Sequence, residues 1–123
     1  MVTLRTLPRV RLLAGLAVAV LLATGCGGAR PPPERTRANV GVKMFQFRPG
    51  TITVTAGTTV TWINDDQILH TATAGTPEAP AAQIFDGQMP GAGKRFSRTF
   101  SKPGRYPYHC ARHNGMRGEI EVR

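Results

Sequence analysis

Cysteine is scarce in this sequence, and its two cysteines lie far apart. Cys26 precedes a Gly- and Pro-rich stretch, whereas Cys110 lies in the run HCARHNGM near the C-terminal end. A disulfide-stabilised scaffold needs several cysteines within the folded region, so we reject that class and a Cys26–Cys110 bridge. A zinc finger is also disfavoured, because Cys110 has no second thiolate nearby to complete the usual ligand set.

Acidic residues are also few. Seven Asp and Glu residues oppose sixteen Lys and Arg residues, which gives a net charge of +9. Residues 39–123 contain ten basic and six acidic residues, so this part of the chain carries +4. A modest positive charge favours an acidic protein partner or an anionic membrane surface. Nucleic acid is not an expected partner, because we predict an export signal at residues 1–25 and no helix that would enter a groove.

Long hydrophobic runs are missing. The apolar run at residues 12–23 has twelve residues, whereas a membrane-spanning helix needs about 20. Arg5, Arg9 and Arg11 precede it, and no acidic residue does. Basic residues before a short apolar core are typical of an export signal, so we predict a signal peptide at residues 1–25.

The end of this segment resembles a bacterial lipoprotein signal. In the run LATGC at residues 22–26, small residues precede a cysteine, although Ala23 stands where that signal prefers Leu. We predict that Cys26 becomes the lipidated N-terminus and that residues 26–38 form a solvated Gly- and Pro-rich linker. The alternative is an ordinary secretory signal, with Cys26 free or removed. Both interpretations export the domain, and the first anchors it in the periplasm or on the outer face of the cytoplasmic membrane.

Residues 39–123 alternate between apolar and polar side chains with a period of two. Val60 and Trp62 follow this pattern, as do Tyr106, Tyr108 and Cys110. Short strands separated by turns, with no helical periodicity after the signal, predict an all-β sandwich of about seven strands. An immunoglobulin-like sandwich is the alternative for a chain with a core Trp, but its second core Cys is absent.

Three local features complete this prediction. The pattern shifts phase between Met44 and Phe45, which predicts a β-bulge. Ile84 and Phe85 are expected to face inward from a loop that includes one short strand. A turn is expected at residues 89–91.

Four residues have the side chains that a mononuclear blue-copper centre requires. His70, Cys110, His113 and Met116 supply two imidazoles, one thiolate and one thioether, a set that suits copper cycling between Cu(I) and Cu(II). Three of them lie within seven residues, so one loop can direct them at a single ion. The alternatives are an inert buried thiol, a core histidine and a packing methionine. His109 is expected to point away, because adjacent strand residues face opposite sides.

The two segments with these residues resemble the cupredoxins, and among them the amicyanin and plastocyanin type. The segments are TVTWINDDQILHTAT and FSKPGRYPYHCARHNGMRGEIEV. The resemblance implies a Greek-key sandwich of about seven to eight strands over residues 39–123. It also implies one copper ion, bound by His70, Cys110, His113 and Met116, and one-electron transfer.

The sequence departs from this family beside the ligands. Ala111 and Arg112 stand where the family has a hydroxyl residue and proline, and Thr71 stands where Asn is common. Because Ala111 has no polar side chain, we expect no side-chain hydrogen bond between the segment that follows His70 and the segment that follows Cys110. Unlike proline, Arg112 has a backbone N–H, which we expect to contact the Cys110 sulfur. Thr71 and Arg112 are therefore the predicted neighbours of the ligands.

The predicted function is extracytoplasmic one-electron transport, without enzymatic activity. The protein is expected to be a monomer that exchanges electrons with a donor and an acceptor, through a basic rim at Arg112 and Arg117 that faces an acidic docking surface. The alternative is a metallochaperone or copper-resistance protein that carries the ion itself. A copper reductase or oxidase is disfavoured, because it needs a second copper centre and a longer chain.

Overall fold

The computed structural model describes residues 36–123, so the predictions for the signal peptide and Cys26, and for the linker up to residue 35, lie outside the described residues. These residues form nine strands and no helix. Within the same residues there is no helix with the length and hydrophobicity to cross a membrane. The strands are β1 (Arg37–Lys43), β2 (Gln46–Arg48), β3 (Thr51–Val54), β4 (Thr58–Asn64), β5 (His70–Ala74), β6 (Asp86–Met89), β7 (Arg95–Phe100), β8 (Gly104–His109) and β9 (Arg117–Val122).

The strands form two sheets. The first sheet has the order β2-β1-β4-β7 and the second has the order β3-β9-β8-β5-β6. The pairs β1–β4 and β3–β9 are parallel, and the other pairs are antiparallel. Because the chain passes repeatedly from one sheet to the other, the connectivity is that of a Greek-key sandwich rather than a meander.

The all-β prediction is confirmed, with nine strands instead of seven to eight. The short strand expected before residue 93 is β6, with four residues. The strand that the sequence did not separate is β2, with three residues, because the phase shift before it was interpreted as a bulge within β1. Strand β1 begins at Arg37, so the sheet includes two residues, 37 and 38, that were predicted to belong to the linker.

The core lies between the two sheets, around Trp62. This side chain of β4 is completely buried, and its ring centroid lies 5.2 Å from that of Tyr108 in the opposite sheet. Aromatic side chains bury large apolar areas, and tilted or edge-on pairs add to that stabilisation. Trp62 therefore joins the two sheets. Its other aromatic neighbours, with centroids 5.5 to 6.4 Å away, are Phe85, Phe96 and Phe100.

The predicted β-bulge at Met44 and Phe45 is wrong. These residues form the two-residue turn between β1 and β2, flanked by the pair Lys43 and Gln46. Their φ angles are +49° and +59°, as a type I′ hairpin turn requires. The phase shift in the sequence therefore marks a reversal of the chain, and both side chains are exposed.

The segment before β6 agrees only partly with the predictions. Phe85 is buried as expected, but Ile84 is 41% exposed, so its predicted inward orientation is wrong. Ile84 lies in the turn before β6, where its N–H donates to the Ala81 carbonyl at 2.8 Å, so it does not share the orientation of a strand residue. Met89 is buried as the last residue of β6. The prediction of a turn that begins at residue 89 is therefore wrong, because the strand continues to that residue.

The loops that connect β4 to β5 and β8 to β9 lie at the same end of the sandwich. Asn64, completely buried at the end of β4, fixes the first loop. Its side-chain amide donates to the carbonyls of Ile68 and Met89, both at 2.8 Å. Its side-chain oxygen accepts from the Asp66 N–H at 2.9 Å. All the hydrogen-bonding groups of this buried amide side chain are thus in use, as burial requires.

A substitution at Gly118 of β9 tests the packing of this strand against Tyr108 of β8. The ring of Tyr108 covers the position that a side chain at residue 118 would occupy. We expect Gly118→Ala to reduce the free energy of unfolding of the copper-free protein by about 1–3 kcal/mol, because the buried ring must move. Urea denaturation measures this change.

Gly41→Ala is the matched control, because a Cβ there meets only the Arg48 carbonyl oxygen at an ordinary 3.6 Å. Its free energy of unfolding should be equal to that of the wild type or slightly higher. Equal urea midpoints for the two variants would contradict the packing described here.

Candidate metal centre

Three potential metal-ligand atoms converge at the end of the sandwich where these loops lie. The Cys110 Sγ lies 3.9 Å from His70 Nδ1 and 3.5 Å from His113 Nδ1. All three atoms lie within 4.8 Å of one another, and we call them the ligand cluster. His70 and Cys110 are buried, whereas His113 is half-buried. Residues separated by forty positions in the sequence thus meet at one point.

The dimensions of the ligand cluster fit a metal ion. A metal–nitrogen bond of about 2.0 Å and a metal–sulfur bond of about 2.3 Å, in a trigonal arrangement, separate nitrogen and sulfur by roughly 3.7 Å. The two observed nitrogen–sulfur distances, 3.5 and 3.9 Å, lie on either side of this value. Two imidazoles and one thiolate are the donors that copper takes in trigonal electron-transfer sites. The residues present therefore fit copper.

Met116 lies at the end of the same loop. Its side chain is buried, and its carbonyl accepts a hydrogen bond from the Cys110 N–H at 3.1 Å. Its own N–H donates to the His113 carbonyl at 3.4 Å. The loop from β8 to β9 is thus closed by its own backbone, which fixes Cys110 relative to the residues that follow it.

Thr71 connects the two loops. Its N–H donates to the Cys110 Sγ at 3.4 Å, and its hydroxyl oxygen accepts from the Ala111 N–H at 2.8 Å. The expectation that no side-chain hydrogen bond joins these loops is wrong. That expectation considered only the side chain of Ala111, whereas the backbone of Ala111 is the donor and Thr71 provides the side chain.

A chain of buried hydroxyl groups extends from this contact. The Thr71 and Thr73 hydroxyl oxygens lie 2.8 Å apart, and the Thr73 hydroxyl donates to the Asp86 carboxylate at 2.8 Å. A hydroxyl has one proton to donate. The Thr71 hydroxyl must therefore donate to Thr73, which leaves its oxygen free to accept from Ala111. The direction of the whole chain is fixed by the carboxylate at its end.

The predicted role of the Arg112 backbone is wrong. Among the hydrogen bonds of residues 36–123, none joins the Arg112 N–H to the Cys110 sulfur, and the Thr71 N–H is the donor instead. Arg112 is exposed and acts on the site through its charge. Burial first, and then the charges of His70 and Arg112, lower the pKa of His113.

The sequence analysis missed Asp66, which contacts the ligand cluster from outside. Its Oδ2 lies 3.0 Å from His70 Nε2. A carboxylate oxygen accepts, so Nε2 carries the proton and Nδ1, the atom near Cys110, has a free lone pair. Hydrogen bonds from the Met44 amide first, and from His70 and the Phe45 amide, lower the pKa of Asp66. The available signal was an acidic residue four positions before a candidate ligand histidine.

Phe45 was also missed, because it was assigned to a bulge. Its ring centroid lies 5.0 Å from that of His113 and 5.7 Å from that of His70, edge-on in both cases. Phe45 is 54% exposed, so it forms an apolar surface beside the half-buried His113. Two other exposed apolar residues at this end of the sandwich are Met44 and Ile68.

His109 lies outside the ligand cluster. Its side chain is buried, and its Nδ1 lies 2.9 Å from the Gly75 carbonyl oxygen. A carbonyl accepts, so this nitrogen carries a proton and has no lone pair for a metal. The contact ties β8 to the segment after β5.

Comparisons with known proteins agree with this geometry. The chain is 33% identical to amicyanin of Paracoccus denitrificans, over 87% of this chain and 92% of that protein. It is 30% identical to amicyanin of Paracoccus versutus over 68% of this chain, and it spans 62% of the length of that protein. It is 31% identical to chloroplastic plastocyanin of Tetradesmus obliquus, over 95% and 83% of the two chains.

Solved structures share the fold. A purple cupredoxin from Nitrosopumilus maritimus matches with a TM-score of 0.64 and 26% identity, over 70% of this chain and 99% of that chain. The Cu(I) form of an amicyanin variant matches with a TM-score of 0.61 and 30% identity, over 71% and 82% of the two chains. The family model described as "Copper binding proteins, plastocyanin/azurin family" matches residues 35–123. The chain therefore belongs to the plastocyanin/azurin family of copper-binding proteins, the cupredoxins.

Proposed function

We propose that this protein is an extracytoplasmic one-electron carrier and that His70, Cys110, His113 and Met116 bind its copper. The observation that carries the proposal is the ligand cluster, in which two imidazole nitrogens and one sulfur lie within 4.8 Å. Copper bound by such a set supplies reversible one-electron chemistry. The buried thioether of Met116, in the same loop, is the proposed weak axial ligand.

The protein's own contribution is to hold the ligand side chains in one geometry for both oxidation states. His70 has no freedom to rotate, because it is completely buried and its Nε2 is bound to Asp66. Cys110 is fixed through the hydrogen bonds that Thr71 makes to its sulfur and to Ala111. Ligands that do not move between states keep the cost of electron transfer low, since little has to be rearranged at the moment of transfer.

Electrons would enter and leave through His113. This ligand is half-buried, whereas His70 and Cys110 are enclosed, so a partner can approach the cluster most closely at the His113 ring. The exposed charge beside it is that of Arg112, because Arg117 is paired with Glu78 at 2.6 Å. That contact lowers the pKa of Glu78 to about 2. The proposed redox partners accordingly have an acidic docking face, which meets Arg112 and a domain of net charge +4.

The rival function, transport of the ion itself, is less consistent with this site. Ion exchange between proteins requires ligands that an incoming partner can reach, but His70 is 0% and Cys110 is 2% exposed. We also propose no enzymatic activity. Within residues 36–123, one group of side chains has the geometry to hold a metal ion, and two of its three members are buried.

The two cysteines provide a matched test of the copper site. Cys110→Ser should abolish the intense visible band of the copper-loaded protein, because that band arises from charge transfer between the thiolate and copper. Cys26→Ser, which removes the other thiol, should leave the band unchanged. Absorption spectroscopy after addition of one equivalent of Cu(II) gives the answer. An unchanged band in Cys110→Ser would contradict the ligand assignment.

A lipid anchor on Cys26 is consistent with the way the chain enters the domain. The Thr36 carbonyl accepts from the Thr59 N–H near the start of β4, whereas the ligand cluster lies beyond the end of β4 at Asn64. The seven residues of β4 extend roughly 20 Å, at about 3.3 Å per residue. The chain therefore enters at the end opposite the ligand cluster, so a tether at the N-terminus would leave the cluster accessible to partners.

If Cys26 carries a lipid anchor, its removal should change the cell fraction in which the protein is found. Cys26→Ala should move the protein from the membrane fraction to the soluble fraction, because the residue that receives the lipid is lost. Fractionation followed by immunoblotting measures the distribution, and the visible band serves as the control for a folded copper site. A wild-type protein that is soluble, with no acyl mass in its mass spectrum, would contradict the proposed anchor.

A further inference from the structure

We propose that Asp66 is a positioning residue whose single carboxylate orients the ligand His70 and also holds the turn at Met44 and Phe45 against the copper site. Through these two contacts it would set copper affinity and reduction potential. The proposal rests on the copper-binding role of His70. It goes beyond that role by assigning a function to a residue outside the proposed ligand set.

The carboxylate makes three contacts with two separate elements. Its Oδ2 lies 3.0 Å from His70 Nε2 and 3.4 Å from the Phe45 amide nitrogen. Its Oδ1 accepts from the Met44 N–H at 3.0 Å. Asp66 itself is held by its own N–H, which donates to the buried Asn64 side chain. The carboxylate is thus fixed from behind and joins strand β5 to the turn between β1 and β2.

The turn needs such a contact. Met44 and Phe45 have φ angles of +49° and +59°, which are unfavourable for residues with side chains. Both side chains are more than half exposed, at 60% and 54%, so burial contributes little to holding the turn. The pairing of β1 with β2 closes the turn, and the two amide contacts to Asp66 add to its stability from outside the hairpin. The conformation in turn places the Phe45 ring edge-on against His70 and His113.

The charge of Asp66 acts on the copper through the imidazole. The oxidised site carries one more positive charge than the reduced site, so a nearby negative charge stabilises the oxidised form. A carboxylate bound to the far nitrogen of a ligand imidazole also makes that ligand more basic and fixes its orientation. Removing Asp66 should therefore raise the reduction potential and weaken copper binding.

The neighbouring Asp65 offers a matched control. Asp65→Ala also removes one carboxylate and one negative charge, one residue away from Asp66. Asp65 is exposed, and its side chain has no hydrogen bond among those of residues 36–123. Its effect should be a small rise in potential that disappears at high salt, because exposed charges are screened.

For Asp66→Ala we expect three changes. Copper affinity should fall by about 10- to 100-fold, as is typical when the partner of a ligand histidine is lost. The reduction potential should rise by more than in Asp65→Ala, and the rise should persist at high salt. Hydrogen exchange at the Met44 and Phe45 amides of the copper-free protein should accelerate, but not in Asp65→Ala. The measurements are competitive copper titration, voltammetry and NMR-detected exchange.

Equal affinity, equal potential shifts and unchanged amide exchange in the two variants would overturn the proposal. If Asp66→Ala does not fold, Asp66→Asn preserves the volume and removes the charge. The same rise in potential is then expected, with a smaller loss of affinity, because the amide oxygen can still accept from His70. The exchange measurement needs no copper, so it tests the hold on the turn even if His70 is not a ligand. A wild-type protein without a copper–thiolate band would instead contradict the proposed function.

Discussion

The close approach of one thiol and two imidazoles, supplied by the start of β5 and by the loop from β8 to β9, is the constraint on which the rest of the structure depends. Polar side chains brought together in this way would be unfavourable if their remaining hydrogen-bonding groups were left without partners. The sandwich avoids this cost because both loops extend from strands fixed by the core around Trp62. Strand β5 begins at His70 and strand β8 ends one residue before Cys110. The ligand positions are therefore set by the sheet, and the loops need to cover only short distances.

The Cys110 and His70 side chains of the cluster are then held by hydrogen bonds from outside it, and the loop of His113 is closed by its own backbone. Thr71 contacts the sulfur of Cys110 through its backbone and the following residue through its hydroxyl. Asp66 contacts the far nitrogen of His70. The loop carrying His113 is closed by hydrogen bonds to Met116. The result is a cluster in which His113 is partly accessible while His70 and Cys110 are buried, so a partner can approach one edge of the site without reaching the other two side chains.

The sequence predicted those features that depend on local pattern or on residue chemistry. The alternation through Trp62 and Tyr108 predicted strands, and the spacing of Cys110, His113 and Met116 predicted a metal-binding loop, in which Cys110 and His113 do approach His70. Features that depend on long-range contacts were missed. The turn at Met44 is stabilised by Asp66, which is 22 residues away, and Thr71 bonds to an Ala111 backbone group 40 residues away. A local sequence pattern cannot identify hydrogen-bond partners this far apart, because the packing of the sheets determines which residues meet.

The central claim is that this protein carries electrons while it retains its copper. The most direct test is repeated voltammetric cycling of the copper-loaded protein in the presence of a Cu(I)-specific chelator, with the copper content of the protein measured before and after. The account predicts a reversible one-electron wave and an unchanged ratio of copper to protein, because His70 and Cys110 enclose the ion in both oxidation states. Transfer of copper to the chelator on reduction would contradict it and identify the protein as a carrier of the ion.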